Sequence, residues 1–318
     1  MIRYFSCRNA LCQETEHLDQ ASWVHLAPPF APGELDAFSR QLQIETDFLT
    51  DPLDSEERAR YERYDDTRSI ILNTPVINER EKENDPIFVT IPLGIILCQN
   101  KIITISSVES PVIEKFLDRK VKGFNPEDER LFVLQIFEQT VHLFLEYLKK
   151  LNLRRNLIEQ ELYHSSRSEE LRSLLSIEKS LVYFVNSLNA NELLKLKIKR
   201  TDFLGIKDHE EYNDLFEDII IDNNQAREVA QLYTNILNGT MEAYASIISN
   251  NLNTVVHRLT VITLLLMVPT VISSFFGMNV PMPFDLGSYK GAFYFLIITS
   301  VIFSFAIAWI FKERKFFN

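Results

Sequence analysis

Two apolar runs without a charged residue lie near the C-terminus: Leu259 to Phe276, 18 residues, and Ala292 to Phe311, 20 residues. Each is close to the roughly 20 residues that cross a bilayer core as a helix. The second carries Trp309 and is followed by Lys312, Arg314 and Lys315, an interfacial aromatic and then a basic anchor. Buried core helices would also be apolar, but that flank pattern predicts two transmembrane spans. Upstream, Leu, Ile, Val and Phe recur at threes and fours from Leu131 to Leu162 and from Leu171 to Leu196, which predicts two long packed helices. A third is predicted from about Tyr212 through Phe276, because the apolar pattern meets no strong stop signal. At 1.5 Å per residue this helix would reach about 100 Å, far longer than a compact domain needs, so it reads as a stalk. No proline interrupts the stretch between Pro126 and Pro269, and Asn125-Pro126-Glu127 offers a cap with proline at the first helical position.

Before Asn125 the pattern changes. Short runs rich in β-branched residues, Trp23 to Leu26, Ser69 to Ile77, Ile87 to Leu97 and Ile102 to Ser106, predict strands. Helical spacing over Gly33 to Ile44 and over Asp54 to Asp65 places helices between them, so the predicted fold is an α/β domain followed by long α-helices and two C-terminal transmembrane helices. Strand order is not legible at this level.

Charge divides the chain near residue 250. From Asn251 onward there are five basic and two acidic residues, leaving 28 basic and 42 acidic in the preceding 250. Phosphate neutralisation needs a basic face, so an acidic body argues against nucleic-acid binding and favours divalent cations as partners. Basic flanks at Arg258 and in the C-terminal tail put both termini in the cytosol by the positive-inside rule, with Gly277 to Gly291 as an external loop. Three cysteines (Cys7, Cys12, Cys98) without a C-x-x-C pair, and charges interrupting the first 20 residues, fit a reduced cytosolic body without a signal peptide. Neither a Gly-rich phosphate loop, nor H-E-x-x-H, nor G-x-S-x-G occurs, so an enzyme is not expected.

The first span holds the most specific pattern. Asn253, Val256, Thr260, Thr263, Met267, Thr270, Ser274 and Gly277 step by threes and fours, a heptad seam of hydroxyl and small residues opposite a face of Val, Ile, Leu and Phe. Such a seam either packs closely against another helix or lines water. Asn250, Asn251 and Asn253 stand at its inner mouth and Gly277-Met278-Asn279 at its outer one. Carboxamides are neutral oxygen donors, able to hold a hydrated Mg2+ through its waters without fixing it. Val256, Leu259 and Met267 could form hydrophobic constrictions that gate by dewetting. His257 lies one residue from the seam, where its protonation would repel cations. None of the six histidines shows paired ligand spacing, so no soft-metal site is indicated.

Phe276-Gly277-Met278-Asn279, set between the two C-terminal apolar segments, resembles the signature of the CorA family of divalent cation channels. The resemblance covers essentially the whole chain, including Asn253 with Leu259-Thr260 at the stalk end. It implies a homopentamer in the cell (inner) membrane with a cytosolic funnel and a central pore lined by the first span, passing Mg2+ and also Co2+ or Ni2+. The corresponding segments are 1–125 (α/β domain), 126–208 (helical section), 209–276 (stalk and first span), 277–291 (external loop), 292–311 (second span) and 312–318 (basic tail). By the same resemblance Gly277, Met278 and Asn279 form the selectivity filter, and Asn253, Thr263, Met267, Thr270 and Ser274 face the pore. Asp218 corresponds to a carboxylate binding regulatory Mg2+ between subunits; an ordinary solvated helix face is the alternative, since Glu210, Glu211, Asp214, Glu217 and Asp222 crowd the same region. Asp285 is the candidate loop carboxylate, or one solvated acid opposed by Lys290. The chain departs from the family pattern in placing Val268 between Met267 and Pro269, and in reading Met282-Pro283-Phe284-Asp285-Leu286 where many members have Met-Pro-Glu-Leu. Two other functions stand beside the channel: a zinc transporter of the same superfamily, and a membrane-anchored helical scaffold without transport.

Overall fold

The computed structural model describes residues 1–8, 11–79, 85–162, 168–278 and 291–313. It divides into two units, 1–241 and 242–318.

The first unit is built on a seven-stranded sheet: β1 (Ile2–Arg8), β2 (Leu11–Thr15), β3 (Trp23–Leu26), β4 (Arg60–Tyr64), β5 (Thr67–Ile77), β6 (Phe88–Cys98) and β7 (Lys101–Ser106), in the order β2-β1-β3-β7-β6-β5-β4. Only β3 and β7 run parallel; the remaining neighbours are antiparallel. On one face lie α1 (Glu34–Leu42) and α2 (Asp47–Thr50), whose Phe38, Leu42, Phe48 and Leu49 pack with Val24, Leu26, Ile96, Ile103 and Ile105. Gly94 of β6 permits this: a Cβ there would stand 2.5 Å from Pro52 Cγ and 2.8 Å from Ile105 Cγ2. α3 (Pro111–Leu117) and two helices of 34 residues, α4 (Glu129–Leu162) and α5 (Ser168–Thr201), complete the core. Phe88 stacks on Tyr147 of α4 at 4.3 Å, and Trp23 meets Phe132 of α4 edge-on at 5.3 Å.

Several polar groups of this core are paired across elements. Asn73 of β5 stands opposite Pro92, which has no N–H to give. Both backbone groups of Asn73 turn to Asn191 of α5, whose Nδ2 donates to the Asn73 carbonyl at 2.8 Å and whose Oδ1 accepts from the Asn73 N–H at 3.0 Å. Trp23 Nε1 donates to Thr104 Oγ1 at 3.0 Å, and that hydroxyl lies 3.0 Å from His25 Nδ1. Burial, with Arg3 adding to it, pushes the His25 imidazole down to about 4, so it sits neutral within the sheet.

Three expectations require correction. Asp54 to Asp65 is not a helix: β4 occupies its second half as an edge strand, and its charges serve ion pairs of Arg60 with Glu57, with Asp51 at 2.6 Å and with Glu62 at 2.7 Å. A strand with one open edge carries polar residues on both faces, and that mimicked an exposed helix. The cap of α4 is Asp128 rather than Asn125, Asp128 Oδ1 accepting from the N–H groups of Arg130 and Leu131 at 3.1 Å each. Cys12 is disulfide-bonded, against the reduced state expected of all three cysteines; Cys7 is the residue opposite it in the β1–β2 register. The Cys98 thiol is free and buried.

α6 (Glu210–Phe276) is one continuous helix of 67 residues, with Pro269 inside it. In the first unit it buries Phe216, Ile219, Asn223, Ala226 and Ala230, again at threes and fours, and then Leu237 two turns on. In the second unit it is joined by α7 (Ala292–Glu313). Both helices are long and apolar enough to cross a membrane, and only 6% of the most apolar 18-residue stretch of each is buried.

Candidate functional site

The face that α6 offers α7 is identifiable by burial. Val261 is buried and Leu265, Val268, Ile272 and Phe276 are half-buried, while α7 answers with buried Ser300 and half-buried Ser304, Ile307 and Ala308. The Ser304 hydroxyl reaches the Leu265 carbonyl at 3.5 Å. Small residues let two helix backbones approach, so Ser300, Ser304 and Ala308 were the available sequence signal for the α7 side of this contact.

The seam lies elsewhere on the helix. Asn253, Val256, Thr260, Thr263, Met267, Thr270, Ser274 and Gly277 are all exposed, as is Met278. Apart from Met267, which lines a cavity with Phe303 and Ile307 of α7, it is therefore not the packing face for the second helix of its own chain. Asn250 and Asn251 are exposed with Asn253 at the N-terminal end of this segment. Asn279 and Asp285, two of the expected site residues, fall outside the described residues.

The three threonine hydroxyls of the seam share one geometry. Thr260 donates to the Val256 carbonyl at 2.9 Å, Thr263 to Leu259 at 2.8 Å and Thr270 to Leu266 at 2.9 Å. Each spends its only O–H on its own helix four residues back, which leaves the oxygen lone pairs as the polar feature turned outward. An acceptor-only surface suits a hydrated cation, whose water ligands point their hydrogens away from the ion. Among the described residues neither span holds Asp, Glu, Lys or Arg between Leu259 and Phe276 or between Phe293 and Ile310, so no ion-coupling carboxylate or proton relay is present there. His257 is exposed immediately before the first span.

Asp218 is exposed on α6 in the first unit. Its neighbour Glu217 is taken by Lys199 at 2.6 Å, which holds the Glu217 carboxyl below the ordinary range. Among the described residues no group of three or more His, Cys, Asp or Glu side chains converges as a metal site.

The fold and the two apolar helices define a membrane protein with a large sheet-and-helix domain preceding two C-terminal spans. The chain belongs to the family of CorA-like Mg2+ transporter proteins, whose family model matches residues 19–313. It is thus a transporter-family protein and not an enzyme. It is 27% identical over 261 residues to the cobalt/magnesium transport protein CorA of Methanocaldococcus jannaschii, covering 81% of this chain and 79% of that protein. The complete structure of the M. jannaschii CorA magnesium transporter superposes with a TM-score of 0.80 at 23% identity, covering 98% and 97% of the two chains. The full-length CmaX protein has the same fold, with a TM-score of 0.70 at 13% identity over 98% of this chain and 97% of that one.

Proposed function

We propose that this protein is a passive channel for hydrated Mg2+, and for Co2+ and Ni2+, moving them down their electrochemical gradient through a path lined by the α6 seam. The observation that carries this reading is the exposure of the seam: it is turned away from α7 and presents hydroxyl oxygens where lipid contact alone would favour hydrocarbon. One chain supplies one wall, so the path requires several copies around it, and a homopentamer in the cell membrane with both termini in the cytosol is the assembly we adopt. Asn279, with Gly277 and Met278, forms the outer ring that selects the ion; Asn253 forms the inner one. Val256 and Met267 are constrictions, and Asp285 attracts cations to the outer mouth. The relative's name, a cobalt/magnesium transport protein, supports those two ions. Ni2+ follows because affinity order places it with Co2+ above Mg2+.

Gating follows from charge. The body carries a large acidic excess, and Mg2+ held between neighbouring copies at Asp218 would relieve their repulsion and keep the path closed. Protease resistance of the detergent-solubilised protein should then rise in millimolar Mg2+ over that in chelator, and equal resistance would end the gating model.

The test of transport is Mg2+ uptake into proteoliposomes at fixed membrane potential, comparing the native protein with Asn279→Ala. Loss of uptake in an intact Asn279→Ala oligomer supports the channel and its outer ring. Uptake of Zn2+ in place of Mg2+ turns the assignment to a zinc transporter, and no uptake of any of these ions at low or high internal Mg2+ leaves a helical scaffold.

A further inference from the structure

A lysine lies wholly inside the helical part of the first unit. Lys195 of α5 is 0% exposed, at a position where the buried residues of that helix run Leu174, Ile177, Leu181, Phe184, Leu188, Asn191, Lys195, Ile198. Its Nζ donates to Asn223 Oδ1 of α6 at 2.6 Å and lies 5.8 Å from the centroid of the Phe137 ring of α4. Asn223 is itself fully buried and anchored, its Nδ2 donating to the Leu188 carbonyl at 3.1 Å. We propose that Lys195 and Asn223 form an acid-sensitive joint between α5 and α6, closed while the Lys195 amine is uncharged and loosened when it takes up a proton.

An ammonium offers three N–H donors and a full charge, and the site supplies one acceptor and one ring face; a neutral amine has one donor fewer to place and no charge to desolvate. The charged group that acts on it is Glu192, one turn earlier on α5, whose carboxylate forms an ion pair with Arg227 of α6 at 3.0 Å. No carboxylate from α4, α5 or α6 lies within ion-pair distance of Lys195 among the described residues. Burial pushes the Lys195 amine down to about 7, with Glu192 pulling weakly the other way. When the joint opens to water the amine regains its ordinary value near 10.4. Opening therefore takes up a proton between those limits. The open fraction should rise by about tenfold for each unit of falling pH from about 10 to 7, and level off below. α6 runs on past this point toward the first span, so the joint lies on the helix that carries the seam.

Hydrogen exchange of the full-length protein in detergent, corrected for intrinsic rates and read on peptides covering 188–199 and 219–230 between pH 6 and 9, tests this. Native protein should show opening that climbs as pH falls to about 7. Lys195→Met keeps the volume without the titrating group and should flatten the profile in these peptides. Asn223→Asp gives the ammonium a carboxylate partner, keeps the joint closed when charged, and should flatten it as well. Should Lys195→Met not fold, Asn223→Asp decides alone. A profile in either folded variant that runs parallel to the native one overturns the proposal.

Discussion

The two units of this chain treat their polar groups in opposite ways. In the first, buried polar side chains reach across elements: Asn191 repairs the β5 backbone, Thr104 joins Trp23 to His25, and Asn223 receives Lys195. In the second, Thr260, Thr263 and Thr270 bond only to their own helix, and Leu259, Leu266, Phe275, Phe293 and Phe305 are more than half exposed. The first unit builds its core from its own side chains; the second exposes broad apolar surface that a bilayer would cover and a hydroxyl seam that lipid covers badly, which is what the proposed multi-copy path rests on.

This contrast can be broken most sharply in the core of the first unit. Phe132 is fully buried and meets the Trp23, Phe116 and Phe124 rings edge-on. Phe132→Ala should lower unfolding stability by about 3–5 kcal/mol, measured by urea titration of the full-length protein in detergent. Acid comes next. The folded His25 value lies near 4, below the unfolded 6.5, so the unfolded chain binds the extra proton between those limits. Stability should fall by about 3 kcal/mol as pH drops from 6.5 to 4, and His25→Gln should flatten that slope in melts taken across the window. Gly94→Ala should cost about 1–3 kcal/mol by the same titration, since its Cβ meets Pro52 and Ile105 side chains held in the core. The smallest effect belongs to the other unit: Thr263→Val removes an exposed hydroxyl bonded only to its own helix. It should shift the melting midpoint by no more than about 0.5 kcal/mol equivalent while lowering Mg2+ flux.

Sequence legibility follows the same boundary. The long helices were readable because their buried positions repeat at threes and fours over tens of residues, and the inner strands because β5, β6 and β7 are nearly continuous apolar runs. The two edge strands and the neighbour of one were not: β2, β4 and β1 mix charged and apolar residues, and pairing on the sheet, not local pattern, makes them strands. Lys195 was visible as a lysine inside an apolar heptad, but its partner Asn223 lies 28 positions away and only the fold joins them. The seam was legible as a spacing. Which face of α6 meets α7 was not, because the contacting residues Val261, Leu265, Val268, Ile272 and Phe276 are as apolar as the rest of the span outside the seam.

The central claim, that the exposed seam faces the ion path, is tested most directly by Mg2+ flux through Thr263→Cys and Ile262→Cys proteins in liposomes. Each is treated with a water-soluble thiol reagent and compared with equally treated native protein. The account predicts that the reagent blocks flux through Thr263→Cys and spares Ile262→Cys, which lies off the seam. Block at Ile262→Cys with Thr263→Cys untouched would contradict it.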